Sequence, residues 1–194
     1  MWERSLSLEP AVTHWQSLVA YQLNWFICVW GAARGWGWLG PLTVSLAAIW
    51  QLALSRQRLA ELRLMVGAAV LGTAVESGFQ VAGFTVYPGV GLAHWPFWMI
   101  ALWVSFGATL AIGFRWLIQR PALGIVLGGL LGPPAYWAGR ACGAVLLPRP
   151  SGLTTVVIGL TWAVALPALL LWARHCLAGK SQVQIMRGRR SSAE

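Results

Sequence analysis

The sequence predicts an all-α, polytopic membrane helix bundle of about six transmembrane helices, and three observations predict it. Of the 194 residues, 58% are hydrophobic and 10% are charged, against roughly 25% charged in an average soluble domain. So little charge cannot cover a soluble globule. The apolar residues are spread along the whole chain in windows near the roughly 20 residues that a helix needs to cross the hydrocarbon core. These windows are continuously apolar, without the inside–outside alternation of a membrane β-barrel strand. A helix, by contrast, satisfies its own backbone in lipid.

The first window covers about 16–33 and ends at Arg34. The second, about 37–55, stops at the cluster Arg56, Arg58, Glu61, Arg63. The third runs about 64–84, through Glu76. A polar and aromatic connection containing Tyr87-Pro88-Gly89 and His94-Trp95-Pro96 leads to the fourth, about 97–114, which stops at Arg115 and Arg120. The fifth spans about 122–147 and the sixth about 152–173. In the fifth, Gly124, Gly128 and Gly132 recur every four residues, a spacing that lets helices approach closely. Pro133-Pro134 follow, and consecutive prolines predict that this helix is broken while remaining tightly packed and central. The organisation is one six-helix transmembrane domain over 1–180 and a basic cytoplasmic tail over 181–194.

With both termini cytoplasmic, eleven Lys and Arg residues fall inside: Arg4, Arg56, Arg58, Arg63, Arg115, Arg120, Arg174, Lys180, Arg187, Arg189 and Arg190. Arg34, Arg140 and Arg149 fall outside, so the arrangement satisfies the positive-inside rule. Trp15, Trp36, Trp38, Trp95, Trp98, Trp116 and Trp172 lie near window ends, where their amphipathic rings suit an interfacial belt. The first fifteen residues include Glu3, Arg4, Glu9 and Pro10 and lack the n- and h-regions of a cleavable signal. The first span is therefore expected to be retained.

The net charge of +9 does not indicate nucleic acid, because the basic residues form small groups between apolar runs and at the C-terminus, with no basic stripe on a foldable soluble unit. Cys28, Cys142 and Cys176 are too scattered for a disulfide framework or a zinc site and read as packing residues. There is no GxxxxGK[ST], no HExxH and no Asp, so nucleotide and two-metal chemistry find no ligand set. Ser77-Gly78 and Ser151-Gly152 lack a GxSxG setting. No metal and no cofactor are expected.

Glu76 is the acidic residue inside a window, about twelve residues into the third. An ionisable group at that depth is a functional-site hypothesis by default, because burying a carboxylate is costly unless it is paired, protonated or hydrated. Thr73 and Gln80 share its helical face, which should point into the bundle. Arg140 on the fifth span is the expected partner, at an axial offset of roughly 9 Å that two extended side chains can cover. Tyr87, His94 and Tyr136, with Trp137, complete an outward-opening polar pocket. Asn24 and Gln22 of the first span suit interhelical hydrogen bonds.

Gln22-Leu23-Asn24-Trp25-Phe26, Glu76-Ser77, Tyr87-Pro88, Trp98 with Trp103, Gly132-Pro133 and Tyr136-Trp137-Ala138-Gly139 together resemble a family of small bacterial inner-membrane proteins called domain of unknown function 2878. The resemblance covers nearly the whole chain apart from the basic tail. It implies a bacterial, multi-pass protein of the inner (plasma) membrane with no established activity, and an association with lipid-modifying enzymes. The expected function is an accessory protein that binds a lipid or small amphiphile at Glu76, Gln80, Arg140, Tyr136, Tyr87 and His94. Its partners would be membrane lipids and another membrane protein or lipid-modifying enzyme. A small transporter and a membrane-embedded lipid-modifying enzyme are the alternatives.

Overall fold

The computed structural model describes residues 13–89 and 96–178. Six α-helices account for most of them: α1 (His14–Ala33), α2 (Leu39–Leu54), α3 (Arg58–Val81), α4 (Phe97–Ile112), α5 (Pro121–Ala141) and α6 (Ser151–Ala178), with one 3-10 turn at Leu117–Gln119. Extended backbone among the described residues amounts to a single antiparallel bridge between Val86 and Leu146. The chain is an all-α helical bundle. Three of its helices, α3, α5 and α6, are long and apolar enough to cross a membrane. The 16-residue α2 and α4 extend only ~24 Å, short of a ~30 Å hydrocarbon core. His94 and the tail beyond Lys180 lie outside the described residues.

Local chemistry sets the helix ends. Thr13 caps α1 by accepting from the Gln16 N–H at 3.3 Å, and the Gln16 side chain accepts from the Thr13 N–H at 2.9 Å, a reciprocal box that satisfies two orphan donors. Pro121 opens α5, where its fixed φ and missing N–H are tolerated. The helices α1, α3 and α5 all end in glycines of positive φ, Gly35, Gly83 and Gly143. In each, the next amide reaches back to a carbonyl of the last turn: Trp36 to Gly31 at 2.7 Å, Phe84 to Phe79 at 2.8 Å and Ala144 to Gly139 at 3.0 Å. That is the Schellman closure, which needs a residue free to adopt the left-handed conformation.

The second and third hairpins repeat one plan. After their glycines, Gly83-Phe84-Thr85-Val86-Tyr87-Pro88 and Gly143-Ala144-Val145-Leu146-Leu147-Pro148 run antiparallel, with Val86 and Leu146 exchanging N–H···O bonds of 2.9 and 2.7 Å. About three turns deeper, a Cβ on Gly72 would lie 2.1 Å from Cγ of Trp103, and a Cβ on the equivalent Gly132 would lie 2.6 Å from Cγ of Trp162. Each glycine is the seat of an indole from the following helix. The two indoles then stack on each other, with centroids 4.7 Å apart and planes at 15°. Pairs of equivalent positions thus meet at the bridge and at the indoles, as an approximate two-fold axis along the bundle requires.

The sequence expected α5 to be broken and central; neither holds. The helix α5 runs unbroken through Pro133 and Pro134. Pro133 leaves the carbonyl of Gly129 without its intrahelical donor, and α6 comes close enough there that a Cβ on Gly159 would stand 3.2 Å from that oxygen. Close packing of two glycines keeps the helix intact where an isolated one would bend. The central element is α4, which packs against α1, α2, α3 and α6 and buries Trp98, Leu102, Trp103 and Leu110. Trp98, expected in the interfacial belt, is instead 4% exposed. Trp15, Trp38 and Trp116 do face outward, as do Val70, Leu130, Leu160 and Val164, an apolar exterior that suits lipid and would be poorly tolerated in water.

Candidate functional site

Glu76 lies on the inward face of α3, at 2% exposure. Three neutral donors converge on its carboxylate. Tyr87 donates to Oε2 at 2.5 Å, Tyr136 to Oε1 at 2.5 Å, and the Trp103 indole N–H to Oε1 at 3.1 Å. They come from the loop after α3, from α5 and from α4, so the carboxylate ties together three segments. Between them the three donors engage both oxygens of the Glu76 carboxyl group, as a buried polar group requires. Burial, followed by the adjacent carboxylate, pushes the phenol of Tyr87, in its loop, well above its usual range, so it stays a donor. Phe79 and Trp98 pack edge-on against Tyr136 and Tyr87 and hold the rings in place.

Arg140 is not the partner of Glu76. Its guanidinium lies 5.0 Å from the ring centroid of Trp137 on an exposed part of α5, and no carboxylate–cation pair within salt-bridge distance is found among the described residues. Counted back from the equivalent caps Gly83 and Gly143, Tyr136 occupies the level of Glu76, whereas Arg140 sits one turn, ~6 Å, nearer the loops. There its long stem carries the charge outward, and the last turn of a helix favours a cation. Gln80 is half-buried on α3, with no side-chain hydrogen bond among the described residues. Of the six residues predicted for the pocket, the structure brings together Glu76, Tyr87 and Tyr136, keeps Gln80 on the same helix one turn away without a side-chain hydrogen bond among the described residues, turns Arg140 outward, and does not describe His94.

Trp103 was missed because an indole within an apolar run reads as packing. A second buried carboxylate was missed as well. Glu61, 7% exposed near the start of α3, accepts from Gln51 Nε2 at 2.9 Å and from the Ser55 hydroxyl. Its neighbours Arg58 and Arg63 in sequence made it look like part of a solvated charge cluster. Asn24 makes the interhelical hydrogen bond expected of it, donating to Ser105 Oγ of α4 at 3.2 Å.

The carboxylate stands behind the wall of a groove. The helices α1 and α5 stand apart, and the space between them is floored by α4 and α6. Its inner part, about 70 Å³, is lined by Trp25, Met99, Trp103, Tyr136 and Trp162 among others. An adjoining part of about 440 Å³ shares Tyr21, Trp25, Phe106, Ala135 and Trp162, and reaches the exposed Gln22, Leu131 and Pro134 at the bundle's outer face. The groove is therefore aromatic and apolar, opens sideways, and ends on two of the three groups that hold Glu76. The Trp162 indole N–H, buried at its floor, has no acceptor among the described residues.

A family model described as "Protein of unknown function (DUF2878)" matches residues 14–168. No curated protein and no solved structure matches the chain.

Proposed function

Starting from a chain that belongs to the DUF2878 family of proteins of unknown function, we propose that it is a membrane-embedded binding protein that seats the chain of a lipid or small amphiphile in the groove between α1 and α5, as an accessory to a lipid-modifying pathway. The observation that supports this most is the lateral opening of an aromatic groove whose closed end is Tyr136 and Trp103, two of the three donors on Glu76. Apolar pockets with a few placed polar groups are the usual form of small-molecule sites, and a sideways mouth gives direct access from a bilayer. In this reading all six helices embed in a bacterial inner membrane, the basic end with Arg56, Arg58, Arg63, Arg115 and Arg120 faces the cytoplasm, and both termini lie on that side.

A lipid analogue with a diazirine near its acyl terminus tests this. Irradiation in membranes should label Trp25, Phe106 and Trp162, and Ala135→Trp, which fills the groove, should lower that labelling at least tenfold while leaving labelling of the outward Leu160 and Val164 unchanged. Equal labelling of groove and outer faces, or no response to Ala135→Trp, would sink the reading. The repeated hairpins favour a second reading as a small transporter, since such proteins are often built from repeats around an axis along the membrane normal. Uptake into proteoliposomes with and without a proton gradient separates the two.

A further inference from the structure

A second cavity, of about 270 Å³, lies on the other side of α1, between α1, α2 and α4. It has room for about nine waters at their liquid volume. Unlike the groove it is lined with hydrogen-bonding groups: Ser17, Asn24, Gln51, Ser105 and Thr109. Ser17, Asn24, Ser105 and Thr109 are each less than 8% exposed, so these are interior polar groups and not a surface. Small residues keep the space open, with Ala20, Ala47, Ala48 and Ala108 in its walls. Gln16, Trp50 and Leu54 form its rim at the basic end of the bundle.

The hydrogen bonds already made decide what the cavity offers. Gln51 Nε2 spends its protons on Glu61 Oε2 and on the Ala108 carbonyl at 3.1 Å; because both partners only accept, the amide oxygen must be the end left free. Asn24 spends an N–H on Ser105, which leaves its carbonyl oxygen without a partner among the described residues, and the Ser17 hydroxyl likewise has none. Thr109 donates to the Ser105 carbonyl at 2.8 Å. The free groups are thus two amide oxygens, the second Asn24 N–H and the hydroxyls of Ser17 and Ser105, a neutral set that both accepts and donates. Among the described residues no charged side chain lines the space, and the nearby Glu61 has both oxygens engaged, by Gln51 and Ser55.

We propose that this cavity binds an uncharged, hydroxyl-bearing group, the glycerol or sugar type of headgroup or a free small polyol. Hydroxyls can donate to the waiting amide oxygens and need no counter-charge. An ammonium would bring a charge with no bare anion to meet it, and a phosphate a charge with no cation to meet it; burying either uncompensated is strongly unfavourable. The proposal stands on the cavity itself and does not require that a chain occupy the groove, although Tyr21 borders both.

Native mass spectrometry of the full chain, with monoolein, oleylamine and oleoyl phosphate as probes and free glycerol as a fourth arm, tests it. Monoolein should be retained in preference to the two charged probes, and both Asn24→Leu, which removes an acceptor, and Ala48→Phe, which fills the space, should weaken its retention about tenfold. Glycerol binding with the same sensitivity would identify a free polyol as the source; monoolein binding alone would identify a headgroup. Preference for oleylamine or oleoyl phosphate would overturn the proposal. So would monoolein retention that ignores both variants while falling with Ala135→Trp, a result that leaves the groove reading intact. Unchanged melting temperatures of the variants show that a loss is not misfolding.

Discussion

The hairpins α3–α4 and α5–α6 share a glycine cap, a bridged loop and a glycine seat for an indole, yet they differ where it matters most. At the level where α3 carries Glu76, α5 carries Tyr136, and the two equivalent side chains bond to each other across the axis. The consequence spreads to the next helices. The Trp103 N–H reaches Glu76 at 3.1 Å, while its counterpart on Trp162 has no hydrogen-bond partner among the described residues. A second asymmetry makes the groove: α3 packs on α6, but the equivalent approach of α5 to α4 is open. The scaffold is repeated, and both chemical features arise where the repeat is broken.

Exchange across the axis breaks this comparison most severely. Glu76→Leu orphans three donors at ~1–3 kcal/mol each, so a loss on the order of 3–5 kcal/mol is expected in detergent unfolding, allowing for partial re-pairing of the two phenols. Combining Glu76→Tyr with Tyr136→Glu should recover a good part of that loss, since the relocated carboxylate would accept from the Trp162 indole. If the double exchange is no more stable than Glu76→Leu, the two-fold account of the site is wrong.

The glycine seats come next. Gly72→Ala and Gly132→Ala each force a methyl into an indole, an overpacking that costs about 1–3 kcal/mol. Gly72→Ala should be the worse, because Trp103 is 2% exposed and cannot retreat, whereas Trp162 is half-buried. Thermal melting of the two variants decides it; the reverse order would mean that the indoles are not equivalently held. The smallest effect sharpens the comparison. Trp103→Phe and Trp162→Phe remove similar ring area, but only the first removes a hydrogen bond to a carboxylate, so its loss should be larger by about 1.5 kcal/mol. Equal losses would show that the indole N–H contributes nothing to holding Glu76.

Composition and the run lengths of apolar residues were enough to define the helices. The windows at about 16–33, 37–55 and 97–114 match α1, α2 and α4 within a few residues, because charged groups, Gly and Pro punctuate a chain whose apolar stretches have no better option than helix. Glu76 stood out for the same reason: a carboxylate inside such a stretch is costly enough to need an explanation. Tyr87 and Tyr136 were legible as polar groups around it, one in the outer connection and one on the fifth span. The choice of partner was not. A lone acid and a lone base invite pairing on charge, but which groups meet depends on helix phase and on axial level to within one turn, and the level is fixed by the bridged loops and glycine caps that align α5 with α3. Continuity through Pro133-Pro134 is likewise a property of two helices, since Gly159 of α6 lies against the Gly129 carbonyl that the proline frees. Burial of Glu61 was hidden by the arginines beside it, for only folding brings Gln51 and Ser55 onto its oxygens. Single-residue chemistry fixes what each segment must become, because it acts locally and on every copy of the chain; the site needs side chains distant in sequence to converge, and that is set by packing.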